Sequence, residues 1–384
     1  MAVIGDQIII SGDAHFAEPP DLFQTRLPLR LRERAPHAVR TPEGEFWISG
    51  HLRNPVGGSV GGYQAPDFRT AIKAGYEGAP KSVWDPAARL EEQDRDTIAA
   101  EVLYSSWGLF LFGMDDDDLR AECFTVFNDW AGEYCSDYPN RLRGVGLCDV
   151  TDPATAVRHL EQIRRLGLNG ALIASSPVDE RPYYLHDYDP VWSAAAELGL
   201  PLTMHILTGA KGKGMLKYSA TLPDGRPSPE TRVHYVTRVV VDLQASLAYM
   251  IASGVFDRHP NLRIVLAETD VGWWPHFIYR MDHFSGVQGM QERPTRDYFK
   301  NNIYATVQFE SDTLRLAKQE VGADRFMWAS DYPHMDCAYP EDRDLVRTIL
   351  ASGFSDEDAA FIARDTAAAL YGIDVSALQV PADA

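Results

Sequence analysis

Cysteine is scarce in this sequence of 384 residues, which contains only four, none of them in a C-x-x-C pair. Scattered thiols are typical of a reducing compartment and offer neither a disulfide framework nor a zinc–cysteine site. No apolar run approaches the roughly 18 residues of a membrane-spanning helix. Residues 1–11 also lack the basic start and long apolar core of a secretory signal. We therefore expect a cytoplasmic protein.

Basic residues are also few: 36 lysines and arginines stand against 55 aspartates and glutamates, which gives a net charge of -19. A surface this negative repels phosphate backbones and anionic lipids, so we expect neither nucleic acid nor a membrane as a partner. Hydrophobic residues make up 45% and charged residues 24%, the balance of a globular protein with a sizeable core. Acidity alone identifies no substrate, and we expect the partner to be a small-molecule substrate.

Eight short apolar or β-branched runs recur along the chain, and amphipathic helical stretches fill most of the gaps after Ala100. One predicted helix follows an Asp152 cap and runs from Ala154 to Gly167, and another runs from Pro190 to Gly199. This alternation predicts a parallel sheet covered on both faces, and eight units favour a closed (β/α)8 TIM barrel. The predicted strands are Gln7–Ser11, Ala100–Ser105, Gly144–Val150, Gly170–Ala174, Leu200–Ile206, Leu262–Ala267, Ile303–Val307 and Arg325–Ser330.

Two segments do not fit the repeat. Residues 19–85 are rich in proline, glycine and arginine, and we interpret them as an insertion after the first strand with a small hairpin at Glu45–Ile48. Residues 208–228 are rich in glycine, lysine and proline and are predicted to form an active-site loop after the fifth strand. The chain is otherwise predicted to be one barrel domain over residues 1–384, with a frayed tail at 375–384.

Histidine, aspartate and glutamate cluster at the predicted carboxyl ends of four strands, the end of a barrel where active sites lie. Neutral imidazoles and carboxylates that converge there are the donors a divalent cation needs. Asp13 and His15 are two residues apart and so share one face of an extended segment. The candidates are Asp13, His15 and Glu18 at the first strand, His205 at the fifth, Glu268 at the sixth, and Asp331 and His334 at the eighth.

Five motifs span nearly the whole chain in order: D-A-H-F-A-E-P-P (13–20), E-V-L-Y-S-S (101–106), L-P-L-T-M-H (200–205), F-D-R-H-P-N-L-R-I-V-L-A-E (256–268) and W-A-S-D-Y-P-H (328–334). Together they resemble the amidohydrolase superfamily, in the branch of aminocarboxymuconate semialdehyde decarboxylase and the resorcylate decarboxylases. The resemblance implies a barrel enzyme that binds a divalent metal.

The resemblance also implies roles for four residues. Asp13 and His15 fall on the first-strand pair of metal ligands, and His205 falls on the fifth-strand ligand. Asp331 falls on the eighth-strand aspartate, which in this family binds the metal and often shuttles a proton. The residues themselves add Glu18 and Glu268 as candidate ligands and His334 as a candidate proton carrier, although Glu18 and His334 could instead orient a ligand.

The sequence departs from the family pattern at three points. Ala17 stands where the more usual H-x-H motif has its second histidine, and Glu268 stands where many members have a sixth-strand histidine. Ala174 and Ser175 end the fourth strand without the lysine that some dinuclear members carbamylate. The resulting carboxylate-rich set suits manganese or iron and could hold two ions.

These observations predict a metal-dependent lyase or hydrolase, similar to a decarboxylase, for a small carboxylated or cyclic substrate. One or two zinc, manganese or iron ions would polarise a substrate oxygen or activate water, with Asp331, Glu268 and His334 as catalytic residues. One alternative is an O2-activating dinuclear Fe/Fe or Fe/Mn monooxygenase, since 2-aminoisobutyrate hydroxylase resembles this branch. A second is a non-catalytic barrel that scaffolds a catalytic paralogue. We expect a homo-oligomer or a hetero-oligomer with such a paralogue.

Overall fold

The computed structural model describes residues 7–212, 228–229, 233, 237–351 and 353–380. Most of the predicted active-site loop at 208–228 lies outside the described residues, as do residues 381–384 of the predicted tail. The described part of that tail begins with a 3-10 turn at Val375–Ala377.

Eleven strands occur in the described residues. In chain order they are β1 (Ile10–Phe16), β2 (His37–Thr41), β3 (Gly44–Ser49), β4 (Leu52–Pro55), β5 (Ala100–Ser105), β6 (Leu142–Leu147), β7 (Gly170–Ile173), β8 (Leu202–His205), β9 (Ile264–Ala267), β10 (Ile303–Val307) and β11 (Phe326–Trp328).

Eight of these strands form one parallel sheet in the order β1-β5-β6-β7-β8-β9-β10-β11. The sheet closes through hydrogen bonds between β1 and the segment after β11: the Asp331 N–H donates to the Asp13 carbonyl over 3.1 Å, and the His15 N–H donates to the Tyr332 carbonyl over 2.7 Å. Gly12 permits this approach, because a Cβ there would lie 2.6 Å from the Met327 Cβ. The predicted (β/α)8 TIM barrel is confirmed.

The first strand begins and ends later than predicted. We expected Gln7–Ser11, but β1 covers Ile10–Phe16, so Asp13 and His15 lie within the strand rather than after it. The polar residues interrupt the apolar run from which the strand was predicted, yet every residue of β1 is buried. The pairing with β5 shifts between Ser11 and Ala14, and such a bulge is common beside active sites because it redirects a side chain.

Helices follow the barrel strands and cover the outside of the sheet. The predicted helix after Asp152 is present, and the Asp152 carboxylate accepts the N–H of Thr155 over 2.9 Å as its cap. Gly199 ends another predicted helix in the left-handed conformation. The described α-helices are Leu22–Arg26, Gly57–Val60, Phe68–Ala74, Pro86–Asp96, Gly108–Leu111, Asp117–Ser136, Pro153–Arg165, Asp189–Leu198, Val239–Ala252, Val255–Arg258, Trp274–Gln288, Thr295–Asn302, Asp312–Val321, Asp342–Leu350, Asp356–Ala360 and Thr366–Tyr371, with a π-helical turn at Phe361–Asp365.

The segment predicted as an insertion carries a small sheet of its own. Glu45–Ile48, predicted as a hairpin, instead lies in β3, the central strand of the antiparallel sheet β2-β3-β4. Trp47 of β3 stacks on Trp107 with ring centroids 5.6 Å apart, and its indole N–H donates to the Tyr76 hydroxyl over 2.8 Å. The Tyr76 hydroxyl in turn donates to the Glu18 carbonyl. The small sheet therefore packs beside the carboxyl ends of β1 and β5.

None of the helices within the described ranges combines the length and the apolar character needed to cross a membrane.

Candidate metal centre

Five of the predicted site residues lie at the carboxyl ends of four barrel strands. Asp13 and His15 belong to β1, His205 is the last residue of β8, Glu268 directly follows β9, and Asp331 is the third residue after β11. Glu268 and Asp331 have left-handed backbones, with φ of 52° and 55°. That conformation costs an L-residue with a Cβ roughly 1–2 kcal/mol, and it is typical of functional sites.

The side chains of these residues converge around the two imidazole Nε2 atoms. His15 Nε2 lies 3.6 Å from Asp13 Oδ1, 3.6 Å from Glu268 Oε1 and 3.1 Å from Asp331 Oδ1. His205 Nε2 lies 3.8 Å from Asp13 Oδ2 and 3.7 Å from Glu268 Oε1. Most of these separations exceed a hydrogen bond but match the spacing of donor atoms that share one cation at about 2.1 Å each.

Two overlapping groups of donors result, and His15 belongs to both. In each group the ligand atoms lie within 4.8 Å of one another. One group contains Asp13, His15 and His205, and the other contains His15, Glu268, Asp331 and His334.

Six buried polar atoms of this cluster have no hydrogen-bond partner among the residues that the structure describes. Leaving a buried donor or acceptor unpaired costs about 1–3 kcal/mol, and more for a charged group. A cation held by either group would give the donors of that group a partner, so the residues present fit a divalent metal. The atoms are Asp13 Oδ1, His15 Nε2, His205 Nε2, Glu268 Oε1, Asp331 Oδ1 and His334 Nε2.

Backbone carbonyls orient the two central histidines. His15 Nδ1 lies 3.3 Å from the Ser105 carbonyl oxygen, and His205 Nδ1 lies 3.0 Å from the Ile206 carbonyl oxygen. A carbonyl oxygen can only accept, so each Nδ1 carries the proton and donates it. Each Nε2 is then left with a lone pair that faces the cluster, the tautomer a metal requires.

The electrostatics of the cluster favour a bound cation. Burial, and then the negative charge of Glu268, raise the pKa of Asp13 and of Asp331 well above the usual range. Burial alone would raise the pKa of Glu268 as well, but His205 and His15 outweigh it and hold that pKa well below its usual range. Burial lowers the pKa of His205. The three carboxyl groups thus disfavour one another's ionised forms, and a positive ion among them would relieve that repulsion.

His334 lies at the open side of the cluster. Its ring stacks on that of His15 with centroids 4.0 Å apart, and its Nδ1 lies 2.9 Å from Asp331 Oδ1. The side chains of His334 and Glu268 are 16% and 20% exposed, whereas Asp13, His15 and His205 are fully buried. Burial lowers the pKa of His334 well below the usual value. His334 therefore lies beside Asp331 at the partly exposed side of the cluster.

Glu18, predicted as a metal ligand, is not among these converging donors. Its carboxylate accepts the N–H of Trp107 over 3.1 Å, the N–H of Gly108 over 3.0 Å and the hydroxyl of Ser105. Burial raises the pKa of Glu18 despite these hydrogen bonds. The structure therefore places Glu18 where it holds both the residues after β5 and Ser105, the last residue of β5, whose carbonyl orients His15.

Arg89 holds the backbone of His15 in place and was not singled out from the sequence. It is fully buried, and its guanidinium donates to the His15 carbonyl over 2.7 Å and to Glu101 Oε2 over 2.6 Å. Its second terminal nitrogen donates to the Tyr332 carbonyl over 3.5 Å. Arg89 thus ties together the two segments that close the barrel. In the sequence Arg89 looks like an ordinary helical arginine. Only its partner Glu101 falls in one of the five motifs, E-V-L-Y-S-S (101–106).

Comparison with known proteins identifies the family. The profile described as "Amidohydrolase" matches residues 61–373. The chain is 29% identical to gamma-resorcylate decarboxylase from Rhodococcus jostii over 272 residues, which are 64% of this chain and 75% of that enzyme. It is also 29% identical to the enzyme of the same name from Polaromonas sp. over 228 residues, 54% of this chain and just under two thirds, 64%, of that relative.

Solved structures share the fold. An amidohydrolase from Mycobacterium avium subsp. paratuberculosis has a TM-score of 0.77 at 22% identity, over 96% of this chain and 99% of that one. A 5-carboxyvanillate decarboxylase from Novosphingobium aromaticivorans, complexed with manganese, has a TM-score of 0.66 at 21% identity, over 95% of this chain and 96% of that one. The profile match covers well over half of the sequence, and on that ground the chain belongs to the amidohydrolase family of enzymes.

Proposed function

We propose that this chain is a metal-dependent decarboxylase of an aromatic carboxylate. The observation that carries the proposal is the convergence of six buried, unpaired donor atoms at the mouth of an amidohydrolase barrel. The relatives named above that have a stated activity are decarboxylases of aromatic acids, which favours a lyase over a hydrolase.

We propose Asp13, His15, His205, Asp331 and Glu268 as the ligands of the cation, and leave Glu18 out because its carboxylate is fully engaged elsewhere. Three carboxylate donors suit a hard or borderline ion such as manganese. Two related decarboxylases were solved with manganese bound, which supports the same choice here.

The local charge explains why an acid substrate needs the cation. An aromatic carboxylate is anionic, and the carboxyl groups of Asp13, Glu268 and Asp331 would repel it in their ionised forms. A divalent ion neutralises two of these three charges and supplies an electrophile for the oxygens of the substrate.

The proton transfer falls to the chain itself. Decarboxylation breaks the bond between the ring carbon and CO2, and the electron pair left on that carbon must take up a proton. We assign its delivery to Asp331, whose Oδ1 lies 2.9 Å from His334 Nδ1. The partly exposed His334 then resupplies Asp331 from the opening. Glu268 has a pKa held low by His205 and His15, so we assign it to charge balance and ligation rather than to proton donation.

The two alternatives raised by the sequence gain no support. None of the relatives named above is an O2-activating iron enzyme, and a buried, convergent donor set gives no ground for a non-catalytic scaffold. Oligomer formation and a cytoplasmic location stay predictions.

The test is turnover of a small panel of substrates by manganese-loaded protein. The panel contains 2,6-dihydroxybenzoate and 5-carboxyvanillate. The matched controls, which cannot lose CO2, are the same acids with every carboxyl group converted to its methyl ester. We expect CO2 release from at least one acid and from neither ester, and loss of that activity in His334→Asn and Asp331→Asn. Metal-loaded protein that releases no CO2 from either acid would contradict the proposed substrate class, and hydrolysis of the esters would point to a hydrolase.

A further inference from the structure

The seventh barrel strand, β10, contributes none of the six converging donors, yet one of its residues contacts two of the proposed ligands. Thr306 is 2% exposed. Its hydroxyl oxygen accepts the backbone N–H of Glu268 over 3.1 Å, and the hydroxyl donates to Asp13 Oδ2 over 3.4 Å. A single hydroxyl therefore links β1 to the residue after β9, two parts of the barrel that are not neighbours in the sheet.

The direction of these hydrogen bonds is fixed by their chemistry. A backbone N–H can only donate, and a carboxylate that is ionised to bind a cation can only accept. The Thr306 hydroxyl must then accept from Glu268 and donate to Asp13, which uses its single proton. Such a chain of hydrogen bonds polarises along its length and fixes all three groups.

Each end of this link acts on a different ligand. At Asp13, the bond engages Oδ2 and so fixes the rotation of the carboxylate that presents the unpaired Oδ1, 3.6 Å from His15 Nε2. At Glu268, the bond holds the N–H of a residue whose φ is 52°, a strained conformation that needs support from its surroundings. Glu268 Oε1 lies 3.6 Å from His15 Nε2 and 3.7 Å from His205 Nε2.

We propose that Thr306 is a positioning residue for the cation site, which sets the carboxylate of Asp13 and the backbone of Glu268 through one hydroxyl. This inference rests on the proposed cation site but not on the identity of the substrate. Removal of a group that orients a metal ligand typically lowers metal affinity 10- to 100-fold. The hydroxyl, rather than the shape of the side chain, is the part that matters.

The experiment measures the affinity for Mn(II) directly, from the electron paramagnetic resonance signal of free Mn(II), and so needs no substrate. Thr306→Val keeps the shape and removes the hydroxyl, whereas Thr306→Ser keeps the hydroxyl. Thr203→Val is the matched control, because Thr203 is also fully buried on a barrel strand but its hydroxyl contacts Tyr104 Oη at 3.2 Å rather than a ligand. Thr306→Ala replaces Thr306→Val if the valine variant does not fold.

We expect the Kd for Mn(II) to rise about tenfold or more in Thr306→Val, with Thr306→Ser within about threefold and Thr203→Val within about twofold of wild type. Equal affinity in Thr306→Val and wild type would overturn the inference, as would an equal loss in Thr203→Val or a serine variant no better than valine. Wild-type protein that binds no Mn(II) would overturn it together with the cation site. Normal Mn(II) binding with the expected pattern, but without decarboxylation, would instead refute only the proposed reaction.

Discussion

Replacing Arg89 by methionine tests how far the cation site depends on the closure of the barrel beneath it. The change removes the guanidinium from Glu101, which is buried and is left, within the described residues, with the uncharged side-chain amide of Gln93 as a hydrogen-bond donor at 2.7 Å. Breaking one partner of a buried ion pair costs about 3–5 kcal/mol, because an unpaired charge remains in the interior. The variant also loses the donors to the His15 and Tyr332 carbonyls.

A second variant separates these two effects. Arg89→Met with Glu101→Gln removes the buried charge but does not restore the hydrogen bond to the His15 carbonyl. We expect the free energy of unfolding, from urea denaturation of metal-free protein, to fall by about 3–5 kcal/mol in the single variant and by less in the double variant. Both should bind Mn(II) more weakly than wild type, because the backbone of His15 is no longer held.

The reasoning fails if the single variant is as stable as wild type, since Arg89 and Glu101 would then not act as a buried pair. The expected effect of Arg89 on the metal site is wrong if the double variant, once folded, binds Mn(II) with wild-type affinity. That result would show that the contact between Arg89 and His15 does not position the ligand.

Three further outcomes follow from the structure. Glu18→Gln should retain the full metal content but lose about 1–3 kcal/mol of unfolding free energy, because two backbone N–H groups lose a charged acceptor; loss of metal by elemental analysis would make Glu18 a ligand after all. Burial and the neighbouring Asp96 raise the pKa of Asp342 to about 10, so the folded state keeps a proton that the unfolded chain releases above about pH 4. Stability should therefore fall as pH rises from about 4 towards 10. In thermal denaturation, Asp342→Asn should melt at a higher temperature than wild type at pH 8, and the difference should vanish near pH 4. A difference in melting temperature that does not change with pH would refute this. Protons compete with the metal for carboxylates whose pKa is raised, so Mn(II) affinity should be lower at pH 5.5 than at pH 7.5, and equal affinities would contradict that competition.

The fold was accessible from the sequence because alternating apolar strands and helices repeat eight times, a pattern that depends on local composition alone. The proposed central ligands were accessible for a similar reason, since His205 and Glu268 stand where an apolar run ends. The bounds of β1 were not, because Asp13 and His15 are polar residues inside a buried strand. Their burial depends on partners from distant strands, which local hydrophobicity does not reveal.

The supporting residues were beyond the reach of sequence patterns for a different reason. Thr306 lies in an apolar run where threonine is an ordinary strand residue, and only the three-dimensional structure places its hydroxyl between Asp13 and Glu268. Glu18 shows the converse, because it follows the D-A-H motif closely and was predicted as a ligand. In the structure its carboxylate faces the backbone after β5. We therefore propose that its closeness in sequence to Asp13 and His15 does not make Glu18 a ligand.

The metal-to-protein ratio of protein purified without chelator and loaded with Mn(II) tests the central claim most directly. It is to be measured in wild type, His205→Ala and the control His186→Ala, whose histidine is exposed and pairs with Asp189 at 2.8 Å outside the cluster. We predict a ratio near one in wild type and in the control, and near zero in His205→Ala, with all three proteins folded by circular dichroism. Full occupancy in His205→Ala, or no bound metal in wild type, would contradict the assignment of this cluster as the metal centre.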